Sequence, residues 1–233
     1  MFMTTKDSRM KVCVRIAAAA ILISTVLLLP SLGDCESITE RMQRQYESLQ
    51  SFRAQFSQVL TNSVSRESEE RAGTIEFMQP SLVRWTTVTP EKEVLVVGRK
   101  FVWDYYPADE AAFKYRLDQM FSSKTMLRFL SGQANLVEDF VVDKQDKEKG
   151  LVHLYLVPKN PEPGLVRAEA WIDPDTALLR GVLIEDFYGN TNQLFLRNIK
   201  LNVGLTAEHF DFTPPKGVVV QDSSIEEMLD PGD

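Results

Sequence analysis

The residue types that ordinarily carry covalent chemistry are sparse in this chain of 233 residues. His153 and His209 are its two histidines, and Cys13 and Cys35 its two cysteines. There is no H-E-x-x-H, G-x-S-x-G, C-x-x-C or phosphate-loop pattern, so neither a zinc site nor an activated nucleophile can be assembled from recognisable spacing. His153 lies inside an apolar strand-like run and His209 in a terminal segment, which makes both poor metal ligands. Asp186, just before Tyr188-Gly189-Asn190, has the position of a turn organiser rather than an acid or base. A serine triad built from distant residues stays open, and with it a secreted lipid hydrolase.

The spacing that does carry information is apolar. Ile75 and Phe77, Val83 and Trp85, Phe101, Trp103 and Tyr105, then Phe113, Tyr115 and Leu117 alternate with period two in successive short runs. Side chains of a strand alternate between faces, so regular registers would collect these ten on one side of a sheet. Each position taken singly fits an ordinary core. Together they offer more aromatic surface than a short helix can cover, and in a half-open barrel such a wall lines a ligand cavity.

The elements that must position this wall follow from periodicity and punctuation. Ser37 and Glu40 form an S-x-x-E capping box before Ile38, Met42, Tyr46 and Leu49, which predicts an amphipathic helix over 39–50. SFRAQFSQVL then reads as a first strand, and TNSVSRESEER as a solvated hairpin loop. AGTIEFM, LVRWTTV, KEVLVV, KFVWDYY and AFKYRL follow, divided at Gln79-Pro80, Thr89-Pro90, Gly98 and Pro107. After an interruption come NLVEDFVVD, GLVHLYLVP, LVRAEAWID, ALLRGVLIED and TNQLFLRNIKLN. Ten or eleven strands with short connections predict an antiparallel meander, curled into an unclosed β-barrel, with a two-sheet sandwich as the alternative. The interruption holds a short helix over 123–131, capped by Ser122 or Ser123 and ended by Gly132. Its apolar face of Met126, Phe129 and Leu130, preceded by Met120 and Phe121, would cover the concave mouth as a lid or a plug.

Residues 1–33 have a basic lead-in (Lys6, Arg9, Lys11, Arg15), an apolar run Ile16–Leu29 and a small-residue end at Ser31 and Gly33. That is the layout of a cleaved signal peptide, with an uncleaved anchor as its rival. Residues 34–233 would form one domain. Removing the leader, whose net charge is +3, takes the chain from −7 to −10. An acidic body without a basic tract argues against nucleic acid as a partner. Cys35 would be the one mature cysteine, so no intramolecular disulfide is possible. Asp34 before it departs from the small residue that usually precedes a lipid-modified cysteine, which favours a soluble protein over an anchored one.

Several stretches together resemble the LolA family of periplasmic outer-membrane lipoprotein carriers: FRAQFSQ, the G-x-I-x-F-x-x-P-x-x-x-R-W run from Gly73 to Trp85, VGRKFVWDYYP, TMLRFLSG, LYLVPK, IEDFYGNTN and HFDFTPPKGVVVQ. The resemblance runs from about Glu40 to Gln221 in order. It implies a strongly curved, unclosed barrel with a helical lid over a hydrophobic cavity, in a monomeric periplasmic protein that performs no covalent chemistry and needs no cofactor or metal. It also implies partners: acylated lipoproteins as cargo, an inner-membrane ABC lipoprotein-releasing transporter as donor, and an outer-membrane acceptor lipoprotein of similar fold. A membrane-anchored acceptor or lipoprotein sensor of the same fold, and a structural domain with a filled core, are the other readings. Members often place an arginine before the proline of the second strand-to-strand turn, where it latches the lid; this chain has Gln79 before Pro80. Met126 stands where a proline is common.

Overall fold

The computed structural model describes residues 36–118, 125–130 and 134–224. The leader and its cleavage site, Cys35, Met120, Phe121, the Ser122–Ser123 cap and the Gly132 helix end lie outside the described residues. The described residues from Ser37 onward form one unit.

The capping box sets the first element. Glu40 N–H donates to Ser37 Oγ at 3.2 Å, and Glu40 Oε2 accepts from the Ser37 N–H at 2.8 Å. Helix α1 therefore starts at once and runs Ile38–Ser48, with Met42 and Tyr46 buried. Strands follow as β1 (Ser51–Thr61), β2 (Ser68–Met78), β3 (Leu82–Thr89), β4 (Glu93–Val97), β5 (Phe101–Tyr106) and β6 (Ala111–Arg116). Helix α2 (Thr125–Leu130) interrupts them, and β7 (Phe140–Glu148), β8 (Leu151–Pro158), β9 (Arg167–Ile172), β10 (Leu179–Glu185) and β11 (Thr191–Leu201) complete the meander. A 3-10 turn at Ala207–Phe210 and a further strand, β12 (Val219–Asp222), follow among the described residues.

The twelve strands of the described residues make one unclosed curved sheet in the order β12-β6-β5-β4-β3-β2-β1-β11-β10-β9-β8-β7. Neighbours pair antiparallel, except that β12 adds to β6 in parallel. This strand was missing from the sequence expectation: its edge position lets all four of its residues stay exposed, so it has no alternation to read. A second difference lies in the polar stretch 61–71. Only Asn62–Glu67 is a turn, and Ser68–Arg71 extend β2 against Thr61–Gln58. Backbone pairing rather than side-chain burial holds this part of the hairpin. Conversely, Asn135–Asp139 form a turn rather than the start of a strand, fixed by the Asn135 N–H donating to Asp139 Oδ2 at 2.9 Å.

Register places two rows of partners across the concave face. One runs Phe52, Phe77, Val83, Val97, Val102, Tyr115, and the next Ala54, Ile75, Trp85, Leu95, Asp104, Phe113. Gly73 makes a close approach of the β3 backbone and the Phe56 ring possible. A Cβ there would stand 1.9 Å from the Thr86 carbonyl oxygen and 2.9 Å from the Phe56 ring. Without it Phe56 could not lie edge-on to Trp85 at 5.1 Å. The main core fills the concave side, where α1 and α2 pack their apolar faces on these rows.

Candidate functional site: a cavity under the second helix

A cavity of about 700 Å³ opens between the β1–β2 hairpin and the β10–β11 turn. Trp85, Leu95, Leu60 and Ile184 supply apolar wall from the sheet, and Met126 and Leu127 of α2 cover it. Its rim is polar, with Gln58, Arg71, Glu93, Asn190 and Asn192 among the lining residues. The volume falls in the usual range for small-ligand pockets. The two hairpins beside it are tied together: Ser63 Oγ donates to the Tyr188 carbonyl at 2.5 Å, and the Ser63 N–H to Asn190 Oδ1 at 3.0 Å. Asp186 organises the turn as its position suggested, accepting from the backbone N–H of Tyr188 and of Asn190 at 2.9 and 2.8 Å.

Of the ten residues expected along one wall, Trp85 lines the cavity directly, and of the three expected in the lid, Met126 does. Ile75, Phe77 and Val83 share its face but are sealed, at 0–2% exposure, with Phe77 stacked on Phe52 at 5.4 Å. Phe129 and Leu130 belong to the same sealed core, Phe129 meeting the Phe140 ring at 5.4 Å. Phe113, Tyr115 and Leu117 are part-exposed at the concave edge, where Tyr115 and Leu117 pack against the core and Phe113 stacks near Tyr115.

Phe101, Trp103 and Tyr105 require correction. Val102 and Asp104 are the β5 residues in register with the inward-facing Val97 and Leu95, so the aromatic phase of this strand faces the convex side. There it joins a second cluster with Phe210 and Phe212. Phe212 lies against Trp103 at 5.7 Å and Tyr105 at 5.5 Å, and Lys114 Nζ sits 4.0 Å over the Phe101 ring. The stripe therefore anchors the C-terminal segment and is no part of the cavity. Arg84, on the same face, donates from Nε to the His209 carbonyl at 3.0 Å, and His209 Nε2 lies 2.5 Å from Glu76 Oε2. Burial alone would raise the Glu76 carboxyl, but hydrogen bonds with His209 and Arg53 outweigh it and hold the pKa below the ordinary glutamate value. His153 also faces away from the cavity, stacked on Trp171 at 4.4 Å and bonded to Glu169 at 2.9 Å.

Gln79 stands beside the first helix. Its Nε2 donates to the carbonyls of Tyr46 and Glu47, 3.1 Å each, at the C-terminal end of α1. Carbonyls at a helix end lack the full set of intrahelical donors: Tyr46 O accepts from the Leu49 N–H alone within the backbone, at 3.2 Å, and α1 has no basic residue in its last turn. The cavity residues that sequence reasoning missed are chiefly Gln58, Arg71, Leu95, Leu127 and Ile184. Gln58 had a signal: it continues the inward alternation of Phe52, Ala54 and Phe56 as a polar residue.

The family model for outer membrane lipoprotein carrier protein LolA matches residues 47–213. A protein of Nitrosomonas europaea named outer-membrane lipoprotein carrier protein is 31% identical over 170 residues, covering 72% of this chain and 81% of the relative. One of the same name from Methylococcus capsulatus is 28% identical over 180 residues, covering 77% and 85%. Among solved structures, an uncharacterised conserved protein of Thermus thermophilus shares the fold, with a TM-score of 0.53 at 16% identity over 79% of this chain and 96% of its own. The family model spans most of the described sheet, and on that match this chain belongs to the LolA family of outer membrane lipoprotein carrier proteins.

Proposed function

We propose that this protein is a periplasmic carrier that takes the acyl chains of lipoproteins into the cavity beneath α2. Donor and recipient would be an inner-membrane transporter that releases lipoproteins and an outer-membrane acceptor. The observation that carries this reading is the cavity itself: a space with an apolar wall at Trp85 and Leu95, an apolar roof at Met126 and Leu127 and a polar rim, in a sheet that its edge strands leave open. In this reading α2 is a lid, and displacing Phe129 and Leu130 from the sealed core extends the cavity along the inner rows. Gln79 is the latch that keeps α1 down while cargo is absent.

The test is a release assay. Purified protein is mixed with vesicles holding an acylated lipoprotein and its matching transporter, with an unacylated version as control. A soluble one-to-one complex formed with the acylated cargo alone is the expected result. Cargo that stays on the vesicles in the presence of folded protein overturns the reading.

A further inference from the structure

The tips of the two hairpins that flank the cavity hold large apolar side chains in water. Val64 is 88% exposed, Phe187 73% and Tyr188 74%, the three highest values for large apolar residues among the described residues. Their exposure is built into the turns. Asn62 Oδ1 accepts from the N–H groups of Val64 and Ser65 at 3.0 and 2.9 Å, which folds the first turn. Asp186 holds the second, and the Phe187 N–H donates to the Pro163 carbonyl at 2.9 Å. Ser63 ties one turn to the other through the Tyr188 carbonyl. The backbone of both tips is thus fixed with these side chains directed outward, and the two rings lie edge to face at 5.7 Å. An apolar cluster held in water in this way marks a contact surface. Asn62–Ser65 and Phe187–Asn190 carry no charged side chain. On their flank Asp186 is turned onto backbone N–H groups, and Glu185 is paired with Arg167 at 2.6 Å. Two turns fall short of the roughly 800 Å² per partner that a stable protein interface buries. A bilayer interface accepts projecting side chains without a matching pocket, and tyrosine suits its headgroup level, with an apolar ring and a wet hydroxyl.

We propose that Val64, Phe187 and Tyr188 form a wedge that enters the headgroup region of a lipid bilayer and docks the cavity mouth on it. The partner is a zwitterionic lipid surface. Arg66 adds one cation beside the first turn, but Glu67, Glu69 and Glu70 follow it on an acidic body, so anionic lipid adds nothing to the contact. The proposal deepens the acyl-carrying reading: Asn62 and Asn190 of these same turns border the cavity, which the wedge sets against the lipid that holds acyl chains. Three side chains bind a membrane less strongly than one myristoyl chain, whose own binding is reversible, so the carrier can leave with its cargo.

The test is co-sedimentation of the purified protein with sucrose-loaded phosphatidylcholine vesicles at millimolar lipid. Replacing both rings, Phe187→Ser with Tyr188→Ser, is expected to lower the bound-to-free ratio about tenfold or more, since burial of part of each ring is lost. Replacing part of the lipid by phosphatidylglycerol is expected to leave wild-type binding equal or weaker. Tyr188→Trp reports the place of contact: over the wild-type signal, its fluorescence should shift to the blue and be quenched by brominated phosphatidylcholine, whereas Val219→Trp on β12 should stay unquenched. Equal sedimentation of the wild type and the double variant overturns the wedge. Binding that appears with phosphatidylglycerol alone is electrostatic adsorption and also overturns it. A wild type that ignores vesicles overturns it too, and loss of cargo capture by the double variant in the release assay then assigns the tips to a protein partner. Neither ring lines the cavity, so a fluorescent fatty-chain probe in solution should bind the wild type and the double variant alike. Failure of that probe to bind refutes the acyl-carrying reading itself, whereas probe binding without vesicle binding refutes the wedge alone.

Discussion

Replacing Gln79 by leucine removes both hydrogen bonds that its Nε2 donates to the last turn of α1, at Tyr46 and Glu47. A net intramolecular hydrogen bond contributes about 0.5–1.5 kcal/mol, and these two lie at a part-exposed helix end, so their joint loss should cost about 1–2 kcal/mol. The Leu49 N–H still covers the Tyr46 carbonyl at 3.2 Å, which keeps the figure toward the lower end. If α1 opens as a unit, its opening equilibrium rises about 5- to 30-fold. Native-state hydrogen exchange on the 38–48 peptide reads this directly, with β8 and β9 as internal controls. Gln79→Arg should act with the opposite sign, because a cation near a helix C-terminus adds about 0.3–1 kcal/mol. Unchanged α1 protection in Gln79→Leu, or faster exchange in Gln79→Arg, would refute the latch. Burial of Met42, Tyr46 and Leu49 would then be the whole of what holds α1.

Other outcomes follow from the same geometry. Trp85→Ala should weaken binding of a fatty-chain probe, whereas Trp103→Ala should leave that binding intact and lower the melting temperature, because only the former lines the cavity. Gly73→Ala should destabilise more than Gly181→Ala in denaturant titrations. The new Cβ meets the Thr86 backbone at the first site and the Phe195 ring at 2.4 Å at the second, where the ring can shift at a cost of about 1–3 kcal/mol. Glu76→Gln should destabilise at neutral pH, with its difference from the wild type shrinking on acidification. The depressed Glu76 carboxyl contributes stability that is present above the unfolded value of 4.5 and is lost as pH falls through the lower folded value. Thermal melts of both proteins at pH 7 and near pH 3.5 check this.

How much of this was legible depended on whether a strand's two faces differ chemically. The capping box gave α1 to within two residues, because the side chains that end the helix are adjacent in sequence. In β2 and β3 one phase is apolar and the other carries Glu76 and Arg84, so alternation alone oriented Ile75, Phe77, Val83 and Trp85 correctly. β4 is apolar on both faces, and in β5 the bulkier phase is the one turned outward. A period-two pattern cannot say which of two apolar phases points inward, since a shift of one residue exchanges them. What decided it was a segment more than a hundred residues later, Phe210 and Phe212, which covers the convex face. The cavity rim was hidden for a related reason: Gln58 and Arg71 face each other only once the hairpin turn shortens to Asn62–Glu67.

The balance of burial also bears on how a carrier could let go. Met126, Leu127, Phe129 and Leu130 are all at most 5% exposed. Each contributes about 1.5–3 kcal/mol by leaving water, so lifting α2 from the sheet costs roughly 6–12 kcal/mol. A fully buried chain of about 16 carbons returns about 13 kcal/mol at ~0.8 kcal/mol per methylene. If α2 lifts to admit the chain, the exchange leaves only about 1–7 kcal/mol in favour of the ligand, and affinity stays far from the ~18–21 kcal/mol ceiling of non-covalent binding. A lid variant that covers less apolar surface should shift this balance. Phe129→Ala lowers the cost of opening and should tighten binding of a long acyl probe while slowing its transfer to an acceptor. Stopped-flow release of a fluorescent acyl chain to excess vesicles measures both terms. Weaker binding with faster release would mean that Phe129 contacts the ligand as part of the wall, and that α2 is a fixed roof which no ligand displaces.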